Sequence, residues 1–130
     1  MTIITSSELA PPRGYSHGIV ATGRLLFVAG QIGWNARAEI VSDQFVAQFD
    51  QALANVLSVV KEAGGSAEAI ARLTIYVTDK AEYLAASREI GERYRARMGR
   101  HYPAMTLVEV RALLEDGARV EIEATAVMPA

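Results

Sequence analysis

The chain has 130 residues, about half of them apolar (51%), and a formal net charge of only −2. These values predict one compact domain, residues 1–130, with a core of its own, and they give no basic field for nucleic acid or an anionic membrane. The absence of cysteine excludes disulfides and thiol nucleophiles. With no leader-like start and no apolar run of about 20 residues, we expect no membrane partner and a cytoplasmic location.

The first third of the chain predicts strands and one conspicuous loop. Ile3 and Ile4 lie among Thr and Ser and predict a short edge strand, which a Pro-Pro-Arg-Gly break follows at residues 11–14. The continuously apolar residues 25–29 predict a strand that is buried on both faces. Two glycines, an amide and an indole then follow in residues 30–35, which predict a loop where the backbone closely approaches another chain or a ligand.

A helix and a strand are predicted in the middle of the chain. Ser42 is the expected N-cap of the helix, and Gly64 is expected to end it. Apolar side chains then recur at helical spacing: Phe45, Phe49, Ala52, Val56, Val60 and Ala63. Residues 70–79 alternate between apolar and polar side chains, which predicts a strand with one buried face.

A second helix is predicted from Asp79, which forms a capping-box pattern with Glu82, to about Gly99. Its core-facing residues are expected to be Tyr83, Leu84, Ile90, Tyr94 and Met98. The same helix is rich in arginine: Arg88, Arg93, Arg95, Arg97 and Arg100. Acidic residues interleave with them, so a solvated, ion-paired helix face is favoured over an RNA-binding surface.

The last third predicts two strands, residues 102–110 and 120–127, because each alternates with a period of two residues. Asp116-Gly117 between them favours a tight reversal, and an antiparallel hairpin is therefore expected. Carboxylates on the second strand, such as Glu121, face either water or a functional site. Considered alone, a carboxylate flanked by Val120 and Ile122 on a strand favours the water-facing alternative for Glu121.

The order of elements predicts an α+β fold in which both helices cover one face of a mixed sheet. The other face carries Tyr76 and either Met105 with Leu107 or their neighbours on the same strand. This surface is too apolar to remain in water. We therefore expect subunits to pack sheet against sheet and to form clefts where they meet.

Several short motifs occur in a characteristic order along the chain. They are Gly14-Tyr15-Ser16, Val28-Ala29-Gly30-Gln31, Tyr76-Val77-Thr78-Asp79, Tyr102-Pro103-Ala104, Val108-Glu109-Val110 and Val120-Glu121-Ile122-Glu123-Ala124. Together they resemble the RidA (YjgF) family of reactive-intermediate deaminases over nearly the whole chain. The resemblance implies a chorismate-mutase-like α+β subunit, a homotrimer with three ligand sites in the clefts between subunits, and hydrolysis of enamines or imines without a cofactor.

Three positions depart from that family's pattern. The arginine that follows the Pro-Ala pair and holds the substrate carboxylate in deaminase-type members is replaced by Met105. A thioether offers none of the paired charge-assisted hydrogen bonds of a guanidinium. The family's cysteine is replaced by Leu107, and an asparagine on the second helix by Ser87. We therefore expect a more apolar pocket and a substrate other than the small 2-imino acids.

The resemblance also supplies the expected site. Glu121 is the predicted catalytic acid or base, and the predicted substrate-binding residues are Tyr15, Gly30, Gln31, Trp34, Ser87, Met105 and Leu107. Two assignments leave alternatives open: Tyr15 is equally compatible with the core, and for Trp34 interface packing is favoured over contact with substrate. A trimer that binds a metabolite without turning it over is the alternative function, and an endoribonuclease is less favoured.

Neither histidine indicates a catalytic or metal site. His17 follows Ser16, but no Gly-x-Ser-x-Gly motif surrounds the pair, so a serine nucleophile is disfavoured. His17 and His101 are the only histidines, and their spacing gathers no set of metal ligands. We therefore expect no metal and no organic cofactor.

Overall fold

The structure, a computed structural model, describes residues 1–130. The strands are β1 (Thr2–Ile4), β2 (Gly18–Val20), β3 (Arg24–Ile32), β4 (Ile70–Val77), β5 (Ala104–Glu109) and β6 (Val120–Met128). The helices are α1 (Phe45–Glu62), α2 (Lys80–Ala85) and α3 (Ser87–Met98), and a single 3-10 turn spans Ala67–Ala69. None of the helices combines the length and the apolar character that crossing a bilayer requires.

The main sheet has four strands in the order β3-β6-β4-β5. Strands β4 and β5 are parallel, and β6 is antiparallel to both β3 and β4. Helix α1 packs against β3 and β6 and also contacts α3. Strands β1 and β2 form a separate antiparallel pair. The predicted α+β class, with helices on one face of a mixed sheet, is confirmed.

The core lies between that face and the helices. The α1 residues predicted to face inward are buried from Phe45 to Val60, and the alternate residues of β6 from Val120 to Met128 are buried opposite them. Gly64 ends α1 with a φ of 88°, as predicted. The N-cap prediction is wrong: Gln44 is the cap residue, and the Ser42 hydroxyl accepts a hydrogen bond from the Gln44 N–H at 3.0 Å.

The predicted hairpin between the last two strands is wrong. Strand β5 pairs with β4 alone, and β6 lies on the other side of β4. Asp116-Gly117 does form a turn, with a φ of 84° at Gly117. That turn belongs to a connection, residues 110–119, that crosses over β4. Local turn chemistry fixes a reversal of the chain but not the strand that it leads to.

The expectation that residues 25–29 are buried on both faces is also wrong for the single chain. Strand β3 is an edge strand, and Leu25 and Phe27 are 60% and 74% exposed. They lie on the sheet face that no helix covers. On β5 the residues of this face are Thr106 and Val108, because Met105 and Leu107 pack against the core on the helix side.

The predicted second helix is broken at Ala86 into α2 and α3. The Asp79 carboxylate caps α2 by accepting a hydrogen bond from the Ala81 N–H at 2.9 Å, as the sequence pattern indicated. Ile90, Tyr94 and Met98 are buried as predicted, but Leu84 is 62% exposed. The break changes the helical phase, so a periodic pattern extended across Ala86 places Leu84 on the wrong face.

A close approach of loop to helix fixes the end of β3 against α1. A Cβ atom on Gly33 would lie 2.6 Å from Cα and 2.8 Å from the backbone oxygen of Gln48. Asn55 of α1 also donates hydrogen bonds to the carbonyls of Ile32 and Trp34 at 3.1 and 2.9 Å. The two hydrogen bonds therefore hold the loop against α1 at a distance that leaves no space for a side chain at Gly33.

We predict that Gly33→Ala lowers the free energy of unfolding by about 1–3 kcal/mol, because backbone must move to admit the methyl group. Urea unfolding followed by circular dichroism measures the change. Gly18→Ala is the matched control, since its Cβ would meet only Ile4 Cβ at 3.8 Å. Equal stability of the two variants would contradict the close approach.

Candidate ligand-binding site

A cavity of about 270 Å³ lies between α2, α3 and β5. Its walls are Gly14, Phe49, Ile75, Tyr83, Ser87, Ile90, Gly91, Tyr94, Arg95, Tyr102 and Met105. Two predicted site residues, Ser87 and Met105, are thus on one cavity. The body of the cavity is apolar and aromatic, while Ser87 and Arg95 of α3 supply polar groups. This combination is typical of a small-molecule site.

A second cavity of about 210 Å³ adjoins the first. It is lined by Arg13, Gly14, Tyr15, Tyr83, Met105 and Leu107, so the two share Gly14, Tyr83 and Met105. Tyr15 is 41% exposed and lies on a cleft rather than in the core. The structure therefore brings Tyr15, Ser87, Met105 and Leu107 together, and we call these four residues the β5 half-site.

The segment before β2 is fastened beside the start of β5. The Ser16 N–H donates to the Pro103 carbonyl at 3.1 Å, and the Ser16 hydroxyl donates to the Tyr102 carbonyl. His17 accepts a hydrogen bond from the Ser6 N–H at 3.1 Å and donates from Nε2 to the Ala10 carbonyl at 2.9 Å. The side chains of Ser16 and His17 thus bind backbone groups and hold the segment that carries Tyr15. They do not bind each other, so they do not form a nucleophile and base pair.

Two stacked tyrosines form part of the wall of the larger cavity. The rings of Tyr94 and Tyr102 lie 5.3 Å apart at an interplanar angle of 11°. The Tyr94 hydroxyl donates to the His101 carbonyl at 2.7 Å, and burial raises the pKa of Tyr94 well above its usual value. Burial also raises the pKa of Tyr83. Both phenols are neutral near pH 7, so the aromatic walls carry no charge.

Glu121 lies on the other face of the sheet, opposite Tyr76 of β4 and Ile32 of β3. Its carboxylate lies against Gly30, because a Cβ atom on Gly30 would be 2.2 Å from Glu121 Oε2. The β3 register shifts between Val28 and Gln31, so Gly30 belongs to a bulge. Gly30 and Glu121 are thus adjacent, and we call this pair the β6 half-site.

A second acid lies on the same face of β6. Glu123 Oε1 accepts a hydrogen bond from the Tyr76 hydroxyl at 2.7 Å. This bond is the largest cause of a raised pKa at Tyr76, and burial and the charges of Glu123 and Glu121 act in the same direction. Glu123 therefore has a protein partner, whereas the structure shows no side-chain hydrogen bond or ion pair for Glu121.

Gln31 and Trp34 lie in neither half-site. They line a separate hollow of about 280 Å³ with Asn35, Ala36, Asn55, Ser58 and Val59. The Gln31 amide donates to the Ala29 carbonyl at 3.1 Å. This hollow is beside β3, at the opposite edge of the sheet from β5, and three interstrand spacings amount to about 14 Å. One chain cannot place Trp34 and Met105 on the same small ligand.

The two half-sites also lie on opposite faces of the sheet, since Met105 faces the helices and Glu121 faces away from them. The single chain thus separates the predicted catalytic acid from the predicted binding cavity. Three further residues that line the cavity, Gly91, Arg95 and Tyr102, were not among the predicted site residues. The four-residue spacing of Ser87, Gly91 and Arg95 places all three on one side of a helix and is the signal that could have found them.

The sequence model of the family described as endoribonuclease L-PSP matches residues 5–128. A "RutC family protein" of Haemophilus influenzae is 34% identical over 98% of both chains. The "2-iminobutanoate/2-iminopropanoate deaminase" of Escherichia coli is 33% identical over 97% of this chain and 96% of its own. The crystal structure of the Rid-family protein YyfB from Yersinia pestis superposes with a TM-score of 0.84 at 35% identity, covering 98% of each chain. The chain therefore belongs to the RidA (YjgF) family.

Proposed function

We propose that the chain is a cofactor-free hydrolase of a reactive enamine or imine, acting in clefts between the subunits of a homotrimer. The relative from Escherichia coli is named as an imine deaminase, which supports the reaction class. The observation that carries the proposal is the separation of Glu121 from the β5 half-site on opposite faces of the sheet. A second copy of the chain can bring its own Glu121 next to the β5 half-site of the first copy.

A closed ring of subunits supplies the missing arrangement. In a ring each subunit presents one surface to the next and a different surface to the previous one. The exposed sheet face with Leu25 and Phe27 is one such surface, and its burial against a neighbour removes apolar side chains from water. Each contact then joins the β6 half-site of one subunit to the β5 half-site of its neighbour. Three chains give three equivalent clefts.

The chemistry of such a cleft needs little more than position and proton transfer. Water adds to the carbon of the C=N bond and gives a carbinolamine. Glu121 accepts a proton from that water and delivers it to the imine nitrogen. It then accepts the proton of the carbinolamine hydroxyl and passes it to the amino group, so that the C=O bond forms as the C–N bond breaks and ammonia leaves. An enamine enters this sequence after protonation at carbon, which converts it to the imine.

The β5 half-site determines which substrates fit. Met105 and Leu107 give the cleft apolar walls, and neither can hold a carboxylate beside the reacting carbon. The proposed substrate therefore has a larger apolar or unsaturated body than 2-iminobutanoate. We predict that 2-iminobutanoate, generated in situ and trapped, is hydrolysed scarcely faster with the protein than without it. A large acceleration would contradict this assignment of Met105.

Mixing two inactive variants tests the shared cleft. Glu121→Gln removes the proton-transfer group, and Met105→Trp fills the β5 half-site with an indole. Random reassembly in a ring should restore roughly a quarter of the clefts, because each needs the intact side of both neighbours. No recovery of enamine hydrolysis, or a solution mass equal to one 14.0 kDa chain, would contradict the proposal.

The second candidate, a binding trimer without turnover, uses the same clefts and is separated from the enzyme by the assay of Glu121→Gln. An endoribonuclease is less favoured because three of the four arginines of α3, namely Arg88, Arg93 and Arg97, are paired with acids. Asp50 of α1 accepts hydrogen bonds from Arg97 at 2.7 and 3.0 Å, which lower the pKa of Asp50. Arg93 also approaches Asp50, at 4.0 Å, and Arg88 pairs with Glu92 at 3.4 Å. Absence of RNA binding at low salt would exclude a ribonuclease.

A further inference from the structure

We infer that Arg95 is an anion anchor at the far end of the larger cavity, and that the cavity takes an elongated carboxylate with a flat apolar body. The inference rests on the proposed function only where it concerns turnover. The binding site itself lies within one chain.

Arg95 differs from the other arginines of α3 in its surroundings. The ion pairs of this helix involve Arg88, Arg93 and Arg97, and Arg95 has no carboxylate partner. Its guanidinium folds back along the helix over Gly91, where a Cβ atom would lie 3.1 Å from one of its terminal nitrogens. An unpaired guanidinium on the wall of a cavity is suited to a carboxylate, which it can bind through two parallel hydrogen bonds.

Gly91 makes room for this arrangement. Glycine in the interior of a helix costs about 0.5–1 kcal/mol relative to alanine. Nothing in the backbone conformation requires it here, because the φ of Gly91 is not positive. Apart from neighbouring backbone of the same helix, the three atoms nearest to its missing Cβ all belong to the Arg95 guanidinium, at 3.1–3.8 Å. The glycine therefore opens the cavity wall and lets the guanidinium lie against the helix.

The dimensions define the class of ligand. Ser87 and Arg95 are eight residues apart on α3, which corresponds to about 12 Å along the helix. An apolar cavity of about 150 Å³ accepts benzene, so a cavity of about 270 Å³ has space for one ring and a short chain. The walls along this path are Tyr83, Ile90 and Met105, which favour a flat apolar body.

The geometry also explains how a carboxylate can be used although Met105 has replaced the family arginine. Tyr83, which lines both cavities, precedes Ser87 in the chain, whereas Arg95 lies about two helical turns beyond Ser87. A carboxylate on Arg95 is therefore distant from the side of the cavity that adjoins Tyr15 and Leu107. A long acid can reach from Arg95 to that side, where the neighbouring subunit's copy of Glu121 would act. A four-carbon imino acid is too short to do both.

Binding of 4-phenylbutanoate and of its neutral amide, measured by isothermal titration calorimetry, tests the anchor. We expect the wild-type protein to bind the carboxylate at least about tenfold more tightly than the amide. Arg95→Gln should remove that difference and leave amide binding unchanged, whereas Gly91→Leu should abolish binding of both by filling the cavity. Arg88→Gln is the matched control, because its side chain is 93% exposed and paired with Glu92.

Equal affinity for acid and amide, an unchanged preference in Arg95→Gln, or no binding of 4-phenylbutanoate at millimolar concentration would each overturn the anchor. Gly91→Ala provides a second measurement, in which weaker binding cannot be explained by a loss of folded protein. It should raise the melting temperature through helix propensity while weakening carboxylate binding, because the guanidinium must shift. Hydrolysis that is insensitive to Arg95→Gln would contradict the anchor and leave the proposed function intact. Binding of 4-phenylbutanoate as predicted, without any enamine or imine hydrolysis, would support the anchor and contradict the proposed function.

Discussion

Glu121→Gln should lower enamine or imine hydrolysis by roughly 100- to 10,000-fold, the range that a positioned acid or base contributes. Glutamine keeps the shape of the side chain but cannot exchange a proton at neutral pH. Ligand affinity should therefore change by only a few fold. Single-turnover assays with an enamine generated in situ, together with calorimetric binding of a stable carbonyl product, separate the two effects.

Glu123→Gln is the matched control for this experiment. Glu123 lies two residues further along β6 on the same face, but its carboxylate is engaged by Tyr76 and does not lie against Gly30. The control should retain most of its activity. Comparable losses in both variants would indicate a general effect of charge on the face, and full activity in Glu121→Gln would exclude the assigned role.

Gln48→Leu should lower the free energy of unfolding by about 3 kcal/mol. Gln48 is fully buried in α1. Its amide nitrogen donates to the carbonyls of Ser42 and Gly117 at 2.9 and 3.0 Å, and its oxygen accepts from the Arg119 N–H at 2.8 Å. Leucine fills similar space but offers none of these hydrogen bonds, so three backbone groups in a partly buried setting lose their partners, and each such loss costs about 1 kcal/mol.

Urea unfolding at equal protomer concentration measures this effect, because assembly would make stability depend on concentration. Gln44→Leu is the control: Gln44 lies one turn earlier, is exposed, and makes no side-chain cap bond. Its stability should stay within about 0.5 kcal/mol of wild type. A loss in Gln48→Leu no larger than in the control would show that the three hydrogen bonds contribute little.

Much of the fold was predictable because periodicity reports which face of an element is buried. The alternation along β6 and the stripe from Phe45 to Val60 both matched the structure. Strand partners were not predictable in the same way. Asp116-Gly117 produces the expected turn, yet β4 lies between β5 and β6. The alternating pattern of a strand shows which of its faces is buried but does not identify the strand beside it. The pairing of β5 and β6 therefore depends on the whole sheet rather than on their own sequences.

The sequence selected candidate site residues but could not show how they are arranged in space. The family pattern selected Met105 and Glu121, and the structure shows that the sheet itself separates them. The contact between Gly30 and Glu121 joins residues from opposite ends of the chain, which spacing along a sequence cannot reveal. Arg95 was assigned with the other arginines of the helix to an ion-paired surface, because the sequence alone does not show which arginines form ion pairs with carboxylates.

The central position of β6 has a consequence for the order of events during synthesis. Strand β3 has no other partner in the main sheet, and β4 depends on β6 for one of its two edges. Residues 120–128 must therefore leave the ribosome before the sheet can close, and such long-range pairing is slow. Until then the apolar strand around Phe27 remains open to other nascent chains, so chaperone dependence should fall sharply once the last strand has emerged.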